Sequence, residues 1–301
     1  MIRKILAALD GSKTSESILP YLESLLRFED ADVTLVKVLP SKWIKEKDEA
    51  QKYLRQVAER LGEKGACVNT TVLFGDPAAQ LTLHAAEKNY DLLLLCTHGR
   101  TGLKRLLMGS VAEKVLRKAS TPVLIAHPLE KESPPPRIRR IVVPLDGFHR
   151  ASTVLPVVAR LAKATQSSIA LVTVVSATAK NEMPVEVLSQ NLFRQQKELE
   201  RQGLTVELAV PFGDPAQETL SFAELNHADL VAIATHGRSG LERFLKGSVT
   251  EGILRKTRMP LLVVRTDRIE KEHPVRLAGK RHREAAALES GVAEKKGAGT
   301  R

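Results

Sequence analysis

Apolar positions along the chain fall into short aliphatic runs separated by longer stretches of helical period, and the alternation recurs. Residues 2–9 read as a strand, 14–27 as a helix, 33–39 as a second strand and 45–64 as a long amphipathic helix. A third strand, 68–74, stops at Gly75; Asp76-Pro77 then opens a helix, with Asp as N-cap and Pro at the first helical position. Residues 92–96 and 123–127 read as a fourth and fifth strand, with a helix near 106–119 between them. Strands follow again at 141–145, 169–175, 205–210, 230–235 and 261–265. Apolar strands alternating with helices predict parallel sheets covered on both faces. Right-handed crossovers then bring the loops after the first and fourth strands to one edge, where such folds hold ligands.

The recurrence is a duplication. Cys96-Thr-His-Gly-Arg-Thr-Gly-Leu returns as Ala234-Thr-His-Gly-Arg-Ser-Gly-Leu, and Phe74-Gly-Asp-Pro-Ala78 as Phe212-Gly-Asp-Pro-Ala216, both at an offset of 138 residues. Asp10-Gly11 returns as Asp146-Gly147 at an offset of 136. A period this long is a repeated domain and not a solenoid unit. The chain reads as two tandem doubly wound, Rossmann-like α/β domains, each with a five-stranded parallel sheet: 1–130 and 138–267. Between them 131–137 carries three consecutive prolines and reads as a semi-rigid linker. Residues 268–301 are basic, lack an apolar pattern and read as a disordered tail.

Composition narrows the function classes. With 43% hydrophobic and 27% charged residues, the 301-residue chain suits two globular domains. Two cysteines, Cys67 and Cys96, exclude a disulfide framework and suit a reducing compartment. No apolar run reaches the length that spans a bilayer, and Asp10 interrupts the first one too early for a signal peptide, so a cytoplasmic location is expected. The net charge of +11 allows anionic partners, but the aromatic fraction of 4% and the absence of a recognition motif argue against nucleic acid.

The chemistry concentrates after the fourth strand. His98-Gly99-Arg100 leaves it, and Gly109-Ser110-Val111 opens the next helix; His236-Gly237-Arg238 and Gly247-Ser248-Val249 repeat the arrangement. Glycine lets backbone approach a ligand, and Gly-Ser at a helix N-terminus offers amides, a hydroxyl and the positive end of the dipole to an anion. Arg100 and Arg238 fit phosphate contacts equally as well as solvated loop positions. Asp10 and Asp146, each followed by Gly, suit a turn as well as a ligand contact. His98 and His236 lack the further ligands at fixed spacing that a metal site needs. Neither serine sits in a G-x-S-x-G elbow, so the pattern suits phosphate binding and not a nucleophile.

These motifs resemble the universal stress protein family, whose ATP-binding members carry G-x-x-G, nine residues, then G-S or G-T. Here the pattern is Cys96-x-x-Gly99-x9-Gly109-Ser110 and Ala234-x-x-Gly237-x9-Gly247-Ser248, and the resemblance covers nearly all of 1–267. It implies two domains packed as a pseudo-dimer through their fifth strands. It also implies ATP, with Mg2+ or Mn2+, held by the loop after strand 4. Asp10 and Asp146 would lie beside the nucleoside, and the backbone of Val38 and Val174 would touch adenine. The implied role is a stress-response sensor or regulator with at most slow ATP hydrolysis. The implied partners are an adenine nucleotide, the second domain of the same chain, a second copy as a homodimer, and a protein that reads the signal. Membranes and nucleic acids are not among them. Cys96 and Ala234 replace the first glycine of the pattern, and a branch of the family without these glycines does not bind ATP. A scaffold acting through protein contacts is therefore the alternative.

Overall fold

The computed structural model describes residues 2–26, 31–63, 66–97, 108–128, 136–146, 151–176, 185–235 and 248–265. The first half contains β1 (Lys4–Ala8), a 3-10 turn (Ser15–Ile18) running into α1 (Leu19–Leu26), and β2 (Asp32–Leu39). A second 3-10 segment (Ser41–Glu46) leads into α2 (Lys47–Gly62), followed by β3 (Val68–Phe74), α3 (Pro77–Glu87), β4 (Leu92–Cys96), α4 (Ser110–Lys118) and β5 (Val123–Ala126). The second half contains β6 (Arg140–Pro144), a 3-10 turn (Ala151–Val154), α5 (Leu155–Thr165), β7 (Ser168–Val172) and α6 (Val185–Glu200). It continues through β8 (Val206–Ala209), α7 (Pro215–Leu225), β9 (Leu230–Thr235), α8 (Ser248–Lys256) and β10 (Leu261–Arg265).

The strands form a single ten-stranded sheet in the order β3-β2-β1-β4-β5-β10-β9-β6-β7-β8. Each half is parallel throughout, and the halves meet antiparallel where Val123, Leu124 and Ile125 face Val263, Leu262 and Leu261. The expected pseudo-dimer is therefore continuous through the sheet. β1 lies between β2 and β4, so the crossovers leave it in opposite directions. This is the point at which a doubly wound sheet opens a crevice at the carboxyl ends of its strands.

Alternation along the strands divides the core. Leu6, Val36, Leu93, Leu95, Val123 and Ile125 share one face with Val142, Val172, Val231, Ile233, Leu261 and Val263. Ala85, Val115, Ala223 and Ile253 of α3, α4, α7 and α8 pack on that face, in one apolar cluster that crosses the β5–β10 seam. All five residues of β4 are buried, as expected for a central strand covered on both sides. Matching aspartates brace the two halves. Asp91 accepts the N–H groups of Arg3 (2.9 Å) and Lys4 (3.1 Å), and Asp229 those of Arg139 (2.8 Å) and Arg140 (3.0 Å). Arg160 lies 3.5 Å from Asp91 across the seam, and Arg265 donates to the Arg117 carbonyl at the end of α4 (2.9 Å).

Several boundaries differ from expectation. The helix expected over 14–27 starts as a 3-10 turn, and the one expected over 45–64 is preceded by a separate 3-10 segment in which Trp43 departs from helical geometry (φ −102°, ψ 36°). β7 ends at Val172, but its pairing resumes at Val175, which bridges Phe212 in parallel. α4 starts at Ser110, where Gly109 is extended (φ −61°, ψ 149°). Most of the proposed linker and all of the proposed tail lie outside the described residues.

Candidate functional site

The carboxyl ends of β1, β2 and β4 and the first turns of α3 and α4 enclose a cavity of about 300 Å³. Five residues singled out in the first half line it: Asp10, Val38, Gly109, Ser110 and Val111. Gly99, Arg100 and His98 lie outside the described residues. The wall between the polar ends is aliphatic, with Val36, Leu81 and Leu95.

Local hydrogen bonds explain this convergence. The Gly109 N–H donates to the Thr97 carbonyl (2.7 Å), which returns the chain to the end of β4 before α4 begins. The Glu113 N–H donates to the Gly109 carbonyl (3.0 Å), so the earlier amides of α4, at Ser110, Val111 and Ala112, lack intrahelical acceptors. Those amides, with the helix dipole, make the polar end of the cavity attractive to an anion. Opposite, Leu9 is held to β2 through its N–H and the Val36 carbonyl (2.9 Å), and Asp10 follows at the strand exit.

Asp10 combines its turn role with its place in the cavity. One carboxylate oxygen accepts the Ser12 N–H (2.8 Å), while the Asp10 N–H donates to the Ser15 hydroxyl (3.2 Å). The Ser15 hydroxyl in turn donates to the Ser12 carbonyl (2.8 Å). Next to Ser15, Glu16 accepts from Tyr53 (3.0 Å) and Arg60 (2.9 Å), which pins the turn to α2. Burial and the Glu16 carboxylate hold the Tyr53 hydroxyl protonated far above its ordinary range.

Cys96 ends β4 opposite Ala126, is 8% exposed and lines the cavity. Ala234 occupies the matching place inside β9, opposite Val264. Both positions are extended, so a side chain where the family pattern has glycine costs room and not backbone strain. Asp76 acts as the expected cap, accepting the Ala79 N–H (2.9 Å), and Asp214 likewise accepts the Gln217 N–H (2.8 Å). The Ala79 N–H, with help from Lys114, holds the Asp76 carboxyl below its ordinary range. The Lys114 ammonium, one turn beyond Ser110 on α4, is 3.6 Å from Asp76. Among the described residues no group of three or more His, Cys, Asp or Glu is arranged to hold a metal ion.

The second half assembles its candidates differently. Asp146 is exposed, while Val174 lies between Val172 and Val175, which accept from Leu145 and Gly213 as Val36 and Leu39 around Val38 accept from Leu9 and Gly75. Ser248 opens α8 and Val249 is half-buried, while Gly237, Arg238, His236 and Gly247 lie outside the described residues. Thr235, the counterpart of cavity-lining Thr97, buries its hydroxyl without a hydrogen-bond partner. The sequence reading missed Ser15 and Leu81. Ser15 had a local signal, a serine five residues after Asp10; Leu81 reaches the site only through helix packing.

Comparison with known proteins agrees with the duplication. The pattern of the Universal stress protein family matches residues 1–127 and again 137–265. A universal stress protein of Methanocaldococcus jannaschii is 34% identical over 146 residues, covering 44% of this chain and 86% of the relative. The universal stress protein YxiE of Bacillus subtilis is 31% identical over 148 residues, covering 42% of this chain and all of the relative. A crystal structure of a universal stress protein from Archaeoglobus fulgidus superposes with a TM-score of 0.74 at 20% identity, covering 88% of this chain and 99% of that one, and shares the fold.

Proposed function

Because the chain belongs to the universal stress protein family, carrying two copies of its domain, we propose that it binds an adenine nucleotide as a cytoplasmic stress-response regulator. The observation that carries this reading is the cavity joining Asp10 and Val38 to the N-terminus of α4. Its aliphatic wall suits a nucleobase, and its polar ends suit a ribose and a phosphate chain. The braced Asp10 carboxylate accepts hydrogen bonds from ribose hydroxyls, the free edge of β2 at Val38 meets the base, and the Gly109-Ser110-Val111 amides receive phosphate. The residues present thus fit ATP. A divalent cation supplies charge neutralisation on the phosphates when bound. Binding and release constitute the function: the tie between Asp10 and its own turn makes it a positioned acceptor and not a base poised for turnover.

Calorimetric titration with ATP and Mg2+ tests this, with fluorescence of the sole tryptophan, Trp43, as a second readout. Trp43 sits five residues beyond Val38 and is 37% exposed. Saturable binding that Gly109→Asp removes is expected, since the added carboxylate repels phosphate at the helix terminus. Correctly folded wild-type protein that takes up no adenine nucleotide would move the reading to a scaffold, the alternative suggested by the side chain of Cys96 in the cavity wall.

A further inference from the structure

The two halves share motifs but not the packing beside them. Position 252 corresponds to Lys114 at the 138-residue offset that relates the two motif sets. In the second half it is glycine, on α8, one turn beyond Ser248. A Cβ built there would stand 2.6 Å from the Cβ of Ala216, on the first turn of α7. Carbon atoms pack at about 3.5–4.0 Å, so α8 approaches α7 about 1 Å closer than any side chain at this position allows. In the first half Lys114 does carry a side chain, directed to Asp76 across the α3–α4 cleft. The same two helices line the cavity, through Pro77 and Leu81 of α3 and Ser110 to Ala112 of α4.

Two further differences act in the same direction. Thr250 takes the position of the small cavity-lining Ala112. Asp146 is exposed where Asp10 is half-buried. The second half therefore departs from the first at both ends of the ligand: at the nucleoside end through Asp146, and at the phosphate end through the helix approach.

We infer that the chain is a one-site pseudo-dimer: the first half takes the adenine nucleotide, and the second half, closed by the Gly252–Ala216 contact, does not. This rests on the nucleotide-binding reading above. The second half then serves as the fixed partner whose β10 completes the sheet, in place of a second binding subunit. Lys114 and Gly252 are the specificity-determining pair, one holding its cleft open and the other letting its cleft close.

Native mass spectrometry of the full chain with saturating ATP and Mg2+ reads the stoichiometry. Photolabelling with an azido-adenine analogue of ATP, followed by peptide mapping, reads the location without any substitution. One nucleotide per chain, with label confined to peptides of 1–127, supports the inference. Gly109→Asp should then remove all binding, with the melting curve checking its fold. Two nucleotides per chain, or label within 137–265, overturns the inference and leaves nucleotide binding intact. No nucleotide and no label overturns both.

Discussion

Replacing Gly252 by alanine sets two known effects against each other. Alanine in a helix interior is favoured over glycine by about 1 kcal/mol, so on propensity alone Gly252→Ala stabilises the protein. Against this, the new methyl meets the Ala216 Cβ at 2.6 Å. Ala216 is 4% exposed and lies on the first turn of α7, where a methyl has no rotamer in which to escape. Relief requires moving α8 from α7, and overpacking of this kind costs about 1–3 kcal/mol. The clash wins near the upper end of that range, for a net destabilisation of about 1–2 kcal/mol. The partner substitution Ala216→Gly removes the obstructing methyl, so the double variant should recover most of the loss, with a coupling energy of about 1–2 kcal/mol. Urea unfolding followed by far-UV circular dichroism measures it as a midpoint shift at constant slope. Lys114→Gly in the first half is the control; it should lose about 1 kcal/mol of helix propensity with no coupling to Ala78. A Gly252→Ala protein more stable than wild type by about 1 kcal/mol would refute the close helix approach, and with it the structural basis for a closed second site.

The remaining expectations address capping, the seam and the strand braces. Asp76→Ala should cost about 1 kcal/mol at pH 7 through loss of the α3 cap. Because the folded carboxyl titrates below its ordinary 3.8, the wild-type advantage is complete above that value and fades as pH falls through the folded pKa; melts of both proteins from pH 7 to pH 3 check this. A fragment of residues 1–127 should dimerise, because removing β10 leaves β5, buried at all four positions, as an open apolar edge; sedimentation showing a stable monomer would count against it. Asp229→Ala should destabilise by about 1–3 kcal/mol, since its carboxylate serves two backbone N–H groups at the start of β6, and chemical denaturation reads the loss.

What was legible in the sequence was whatever local chemistry decides. β3, β4, β9 and β10 have the expected bounds; β4, β9 and β10 are mainly aliphatic runs, and β3 ends in Val72-Leu73-Phe74 before the turn at Gly75. At Gly75 and Gly213 the turns need φ of +128° and +142°, conformations in which glycine is strongly favoured. Asp76-Pro77 and Asp214-Pro215 announce their helices with cap and first-turn chemistry that needs no tertiary contact. Where the fold decides, the sequence reading overran. The run to Val175 reads as one continuous strand, whereas the regular ladder of β7 stops at Val172 and pairing returns only at Val175, opposite Phe212. The site divides in the same way. Asp10 and Gly109-Ser110 were visible because a strand exit and a helix start are local features, and the topology brings them together without further instruction. Leu81 became a cavity residue only once α3 was known to lie against α4. The difference between the halves is the extreme case. Lys114 and Gly252 stand in the aligned repeats for anyone to read, yet their consequence depends on a single distance between two helices. Both repeats carry the residues that mark the strand exit and the helix start, while the packing position at 114 and 252 differs without disturbing any motif.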